Sequence, residues 1–459
     1  MMRSLFSGVS GLKAHQQKMD VIGNNIANVN TVGYKSSRVT FSDILNQTIS
    51  GATSPDSSTG RGGTNPKQIG LGVGINSIST VNTSGSTEST GNQTDLSISG
   101  NGFFIVRSGN NSTYQFTRAG NFTLDELGNL VTAEGMNVYG WMDYGGVQLS
   151  DGSFEFNTDA LVEPINIYSD AYNGNKKLTA AKATENAIFE GNLDATEEAL
   201  GTALDDIGTT VPDTQFNTTL TVYDSLGNEY EVEVNFIKCF VDSTTDPDNP
   251  ITSWYWQIPD TSGLTAELSG GSAAGGYIQF DSKGNIITDE DDYTTVPEIE
   301  FTPGSTTGAG SFDVKLDFST LTMSSQDSSV EVDSADGYPS GTLQDYSIGS
   351  DGIIMGVYSN GMQKPLGMIA LVSFKNPLGL MKAGSNTYYA TANSGDFING
   401  SKAGSDGTGT LSAGTLEMSN VDLSNEFSQL IITQRGFQAN SRVITASDEM
   451  LQELVNLKR

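Results

Sequence analysis

Two stretches with an apolar seam at helical spacing stand at opposite ends of a 459-residue chain. Steps of four and three residues link Leu5, Val9, Leu12, Gln16, Met19, Gly23 and Ile26. The same stepping links Leu423, Phe427, Leu430, Gln434, Phe437, Ser441, Ile444, Asp448, Leu451 and Val455. A 3.5-residue repeat keeps one stripe turned toward a partner helix. The polar members weaken each seam, and Gly8, Gly11 and Gly23 each cost about 1 kcal/mol of helix relative to alanine. Neither helix is expected to be stable alone in water. Each needs a partner, either the other end of its own chain or a second copy. Two amphipathic helices lying on an ordinary globular core would give the same pattern, and periodicity does not separate these readings.

The residues between the seams are rich in Gly, Ser and Thr and alternate as strands do. The stretch ISGATSPDSSTGRGGTNPKQIGLGVG reads as loop. The chain is therefore read as mainly β with α-helical termini. A five-residue motif, Asp-x-x-Gly-Asn, recurs at 125–129, 224–228 and 281–285, each time between strand-like runs. Asp bonds backbone amides at the start of a turn and Gly takes positive φ near its end, so three β-hairpins are expected. The alternating Asp/Asn ligand spacing of an EF-hand is missing, which argues against calcium. Residues 191–333 look like an inserted all-β domain, acidic throughout, with Lys238, Lys283 and Lys315 as the only basic residues.

The charge excludes several function classes. Asp and Glu number 54 against 23 Lys and Arg. Binding phosphates needs a basic face, so a nucleic-acid partner is not expected, nor is docking on anionic lipid. No apolar run reaches the roughly 20 residues that span a bilayer. Ser7, Gly8, Ser10 and Gly11 interrupt what would be a secretory h-region. His15 is the one histidine, so a histidine metal cluster or a His-based triad within the chain is not expected. There is no Gly-Lys-Ser/Thr, and GLGVG at 70–74 reads as a turn. Carboxylate pairs such as those in DEDD at 289–292 arise by chance in so acidic a chain. No catalytic, cofactor-binding or metal-binding residue is assigned, and an enzyme is not expected. Cys239, the lone cysteine, reads as a buried small hydrophobe on EVEVNFIKCF; the sharper reading is a crosslinking thiol.

The stretch GVSGLKAHQQKMDVIGNNIANVNTVGYK closely resembles the N-terminal motif of the flagellar rod, hook and hook-associated proteins, the axial family of the bacterial flagellum. Its most specific positions include Asn24, Asn25, Ala27, Asn28, Thr31, Gly33, Tyr34 and Lys35. LSNEFSQLIITQRGFQANSRVITASDEMLQELVNLKR resembles the C-terminal helix of the same family, and DLSISGNGFFIV, FTRAGNFTLDELGNLV and VYDSLGN agree with it too. Residues 240–335 resemble nothing nameable. The Asn run followed by Gly33 is suited to ending a helix of about 25 residues, roughly 37 Å long, and turning the chain outward.

The resemblance implies four parts. Residues 1–30 with 415–459 form a helical inner-tube core of paired coiled-coil helices. Residues 31–88 form an extended linker, 89–190 with 334–414 a discontinuous β domain, and 191–333 an outer acidic β domain. The acidic insertion points to the hook branch; a distal rod or hook-associated protein is the alternative. Implied partners are copies of the chain itself in a helical homopolymer, the distal rod protein, the hook cap, the hook–filament junction proteins and the flagellar export apparatus. The implied location is extracellular, in the hook and basal body, after type III export without a cleaved signal peptide. The helices are expected to be disordered in the free subunit and to fold on assembly. The seam residues Leu5, Val9, Leu12, Met19, Ile26, Leu423, Phe427, Leu430, Phe437, Ile444, Leu451 and Val455 would form the assembly interface. Some relatives join subunits through a Cys–Lys link, which makes Cys239 a candidate crosslink.

Overall fold

A computed structural model describes the chain except residues 1, 56–59, 110–111, 146–153, 173, 202–214, 243–249, 260–262, 269–271, 288–295 and 458–459. The DEDD carboxylates at 289–292 therefore lie outside the described residues. The chain is mainly β with one long helix at each end, as composition and periodicity predict. It divides into two compact units, one of residues 1–176, 346–356 and 364–459, the other of 177–345 and 357–363.

The first unit holds both helices, α1 (Met2–Ala27) and α2 (Leu423–Asn456). Asp422 starts α2: its Oδ1 accepts from the Ser424 and Asn425 amides at 2.9 and 3.2 Å, and Glu426 follows in the positive first turn. After α1 the chain runs out and back as a ribbon. β1 (Ser37–Asp43) pairs with β4 (Val73–Thr80), and β2 (Asn46–Ser50) pairs with β3 (Lys67–Gly70). The loop expected at 49–74 is thus strand at both ends, because backbone pairing along the ribbon overrides a Gly- and Ser-rich composition. An antiparallel sheet follows, with Phe103–Arg107 between Gln115–Thr117 and Asn137–Trp141. Its alternate residues bury an aromatic core that includes Phe103, Phe116, Tyr139, Trp141 and Phe374. Near the C-terminal end, Thr410–Ala413 pairs with Leu96–Ser99, and Thr415–Glu417 with Thr87–Ser89. That pairing fixes where Glu417 and the start of α2 lie.

The second unit is a sandwich. Phe216–Tyr223, Glu229–Asp242, Ile251–Gln257 and Gly275–Phe280 make a four-stranded antiparallel sheet. A six-stranded sheet centred on Phe312–Ser324 and Asn186–Asp194 faces it. Val232, Val234 and Phe236 point inward and Glu231 and Glu233 outward, the period-two pattern of a half-buried strand. Phe318 is the hub, with ring centroids 4.9 Å from Phe189, 5.5 Å from Trp256 and 6.0 Å from Phe236. The register shifts between Lys238 and Phe240, and the bulge leaves Cys239 fully buried with its thiol pushed upward by burial.

The three Asp-x-x-Gly-Asn motifs form the same turn. In each, Asp Oδ1 accepts from the Asn amide, at 2.7 Å for Asp125, 2.9 Å for Asp224 and 2.7 Å for Asp281. The other carboxylate oxygen accepts from the Asn side chain. Gly128, Gly227 and Gly284 take φ of 89°, 85° and 82°. The carboxylates close their own loops.

Asp336 does similar work between distant segments. It accepts from Lys182 Nζ at 2.8 Å and from the amides of Glu185 and Asn186 at 2.8 and 2.9 Å. Burial alone would raise its pKa, but these bonds outweigh it and hold the carboxyl at about 2. The folded value lies below the unfolded one, about 3.9, so the stabilisation is complete above that pH and is lost as pH falls toward 2. Urea midpoints of the second unit should fall over that interval, and Asp336→Asn should flatten the slope there. An unchanged slope in the variant would contradict the assignment.

Candidate functional site

The two helices pack antiparallel along a stripe of small residues. Ser4 Oγ lies 3.3 Å from Ser447 Oγ near one end, and Asn25 Nδ2 donates to Glu426 Oε1 at 3.2 Å near the other. Between them, a Cβ built on Gly8 would stand 3.1 Å from Ile444 Cγ1, and one on Gly11 2.7 Å from Asn440 Oδ1. A Cβ on Gly436 would meet the His15 ring at 2.8 Å. The buried residues of α1 are Gly8, Gly11, Ala14, Ile22 and Asn25; those of α2 are Thr433 and Ser447. Gly8 and Gly11 therefore carry their cost in helix propensity because the partner helix comes close. Gly23 has open space around it, and nothing within the chain explains it.

Of the expected seam residues, Ile444 lies at the intrachain contact, against Gly8. Leu5, Leu12, Met19 and Ile26 on α1, and Leu430, Phe437, Ile444 and Leu451 on α2, are half-buried. Val9, Leu423, Phe427 and Val455 are exposed. Further apolar side chains the seam does not include are exposed as well: Phe6 at 66%, Ile431 at 56% and Ile432 at 68%. A hydropathy pattern finds large apolar residues, whereas the close approaches of this pair are at Gly8, Gly11 and Gly436, against Ile444, Asn440 and His15. His15 sits against the Phe41 ring, centroids 5.6 Å apart, with its pKa lowered by burial and then by Lys18.

Below the helices the Asn-rich motif is a knot of hydrogen bonds. Asn28 Nδ2 donates to Asn24 O and Oδ1, both at 2.8 Å, and Thr31 Oγ1 donates to Asn28 Oδ1 at 3.1 Å. These bonds cap the end of α1 at the exposed Ala27. Asn25 is buried. It donates to Ser37 O at 2.9 Å, and its Oδ1 accepts from the Ser37 amide at 2.9 Å and the Tyr34 hydroxyl at 3.3 Å. Asn420 ties the other end of the chain to the same place, accepting from the Ser36 amide and donating to Val81 O, each at 2.8 Å.

Gly33 adopts φ 68° and its amide donates to Glu417 O at 2.7 Å. A Cβ there would lie 2.6 Å from Ala119 N and 2.7 Å from Arg118 C, both backbone. Gly33→Ala should cost at least about 1–2 kcal/mol for the left-handed backbone alone. Chemical denaturation of the subunit checks this; a midpoint equal to the parent's would contradict it.

Lys35 completes the knot. Its Nζ lies 2.6 Å from Glu417 Oε1 and donates to Thr83 O at 2.8 Å. Arg118 Nη1 lies 3.1 Å from Glu417 Oε2, and its Nη2 donates to Gly100 O at 2.7 Å. All three side chains are at most 3% exposed. Burial lowers the pKa of both Lys35 and Arg118, and Glu417 opposes that shift. One carboxylate thus joins a residue of the N-terminal motif, a residue of the central sheet and the strand that leads to α2. Sequence reasoning names Lys35 but misses Glu417 and Arg118, which lie 382 and 299 residues from their partners along the chain. Among the described residues no group of three or more His, Cys, Asp or Glu could hold a metal ion.

Four families match the chain in order. They are Flagella basal body rod protein over residues 5–35 and Flagellar hook protein FlgE/F/G D1 domain over 97–173. Then come Flagellar basal body protein FlaE D2 domain over 192–338 and Flagellar basal body rod FlgEFG protein C-terminal over 412–457. The third includes 240–335, which motif reading left without a relative. The flagellar hook protein FlgE of Borreliella burgdorferi is 40% identical over 473 residues, and that of Treponema pallidum 39% over 492, each covering all of both chains. The flagellar basal-body rod protein FlgG of Bacillus subtilis is 30% identical over 459 residues, again covering both chains fully. The helix pair falls largely within the two terminal matches, Arg118 of the ionic knot lies in the match over 97–173, and the chain belongs to the flagellar hook protein FlgE family.

Proposed function

We propose that this chain is the structural subunit of a bacterial flagellar hook, polymerising helically into a hollow, flexible tube that transmits torque from rod to filament. The observation that carries this reading is the number of large apolar side chains left exposed on the paired helices, Phe6, Val9, Phe427, Ile431, Ile432 and Val455, in a chain of net charge −31. Exposed large apolar side chains in such number mark interaction surfaces, and a helical homopolymer supplies a partner by symmetry. The helix pair lines the channel and makes the dry contacts between copies. The acidic sandwich offers solvated surfaces, which slide as the tube bends. The distal rod, hook cap and hook–filament junction proteins are the neighbours at its ends, and the chain reaches its extracellular site through the flagellar export apparatus.

The thiol of Cys239 donates to Ile237 O at 3.5 Å inside the sandwich. A crosslink from it to a lysine of another copy requires the strand to open. Boiled, reduced assemblies should therefore run as monomers, and a ladder of higher bands would establish the crosslink.

A rod subunit is the second reading, favoured by the full-length Bacillus subtilis relative. Electron microscopy of basal bodies from cells lacking the gene separates the two. Complete rods without hooks are expected; truncated rods would move the protein into the rod, and hooks lacking only filaments would make it a junction protein.

A further inference from the structure

The ionic knot is not neutral, and it borders a cleft. Lys35 and Arg118 bring two positive charges against the single carboxylate of Glu417. Beside them opens a cleft of about 230 Å³, with Asn82, Phe103 and Lys375 also in its lining. Two donors on residues of its lining have no partner among the described residues although their atoms are buried: Arg118 Nε and Asn82 Nδ2. A buried donor left unpaired costs about 1–3 kcal/mol, and natural structures seldom leave one without a use. The guanidinium is held in place from two sides, by Gly100 O and by the Phe103 ring, whose centroid lies 5.4 Å from Arg118 Cζ. Its Nε–H is therefore a fixed single donor, available for one charge-assisted hydrogen bond to an anion. Lys375, an exposed residue of the lining, adds a third positive charge.

We propose that this cleft is an oxyanion site that takes a carboxylate, bound by Arg118 Nε and Asn82 Nδ2 with Lys375 drawing it in. Two sources offer that chemistry: a free small oxyanion, or an Asp or Glu side chain of a neighbouring copy. With 54 acidic residues against 23 basic ones, the surface of a second copy is rich in such groups. The second source rests on the assembly reading above, whereas the site itself does not.

Titration calorimetry of the dilute full-length subunit with sodium acetate, against sodium chloride at matched ionic strength, tests the site. Saturable acetate binding is expected. Asn82→Leu should weaken it about tenfold through loss of one charge-assisted hydrogen bond. Lys375→Gln, at an exposed position where folding is not at stake, should weaken it by a smaller factor that shrinks as salt rises. No saturable binding in the parent, or equal affinity in parent and both variants, would overturn the proposal. Repeating the titration on assembled tubes identifies the source. Loss of acetate binding there means that a neighbour's carboxylate fills the cleft, and retained binding means a free oxyanion; either supports the site. A chain that forms no tubes would refute the assembly reading while leaving the subunit titration decisive.

Discussion

A chain lacking residues 421–459 will form no tubes at concentrations where the intact chain assembles, and its β units will stay folded. The cut removes Phe427, Ile431, Ile432 and Val455, all exposed in the single chain. Burying one such side chain is worth about 1.5–3 kcal/mol, and 1.4 kcal/mol is about tenfold in an association constant. Losing four contacts of this kind costs several orders of magnitude in assembly. The cut spares Glu417 and Asn420, so the ties to Lys35, Arg118, Ser36 and Val81 remain. Removing residues 1–30 should block assembly as well, since α2 then loses the helix it packs on. Pelleting assays report assembly, and hydrogen exchange over 97–141 and 216–257 reports the folded units. Tubes from either truncated chain would sink the argument.

Glu417→Ala will be among the most destabilising single changes in the first unit, at about 3–5 kcal/mol. It leaves the Lys35 and Arg118 cations buried with no counter-charge and also removes the acceptor of the Gly85 amide at 3.0 Å. Hydrogen exchange should rise over residues 33–36, 83–89 and 96–107 and stay unchanged in the sandwich at 216–257. Replacing all three charges together, as Lys35→Met, Arg118→Leu and Glu417→Met, should recover much of the loss, because it is the unpaired buried charge that costs most. A single Glu417→Ala variant as stable as the parent would show that the knot holds nothing together.

Most of the fold was legible because it rests on local patterns. The 3.5-residue spacing marked both helices, and the observed Met2–Ala27 is close to the length expected from the Asn-rich stop. Asp-x-x-Gly-Asn specified its turn because each Asp reaches only four residues along the chain. The rest was hidden for physical reasons. The close approaches that pair the helices are at Gly8, Gly11 and Gly436, with Ala14 and Ser447 buried near them, residues that hydropathy ranks as neutral. The strands of the ribbon at 46–50 and 67–70 carry a loop's composition and form through pairing with each other. The knot at Glu417 joins residues separated by most of the chain, where no spacing rule operates. Lys35 stood out only as part of a familiar motif, and its role became visible once the strand at Thr415–Glu417 paired with Thr87–Ser89.

Gly8, Gly11 and Gly436 let the two helices approach closely inside the subunit, and the large apolar side chains left exposed on the pair are proposed to meet neighbouring subunits. Electron cryomicroscopy of assembled tubes, at a resolution that shows side chains, tests it most directly. The account predicts that Gly8 still meets Ile444 of the same chain while Val9, Phe427 and Val455 are covered by neighbouring copies. Tubes in which those three side chains face solvent, or in which Gly8 packs against another copy, would contradict it.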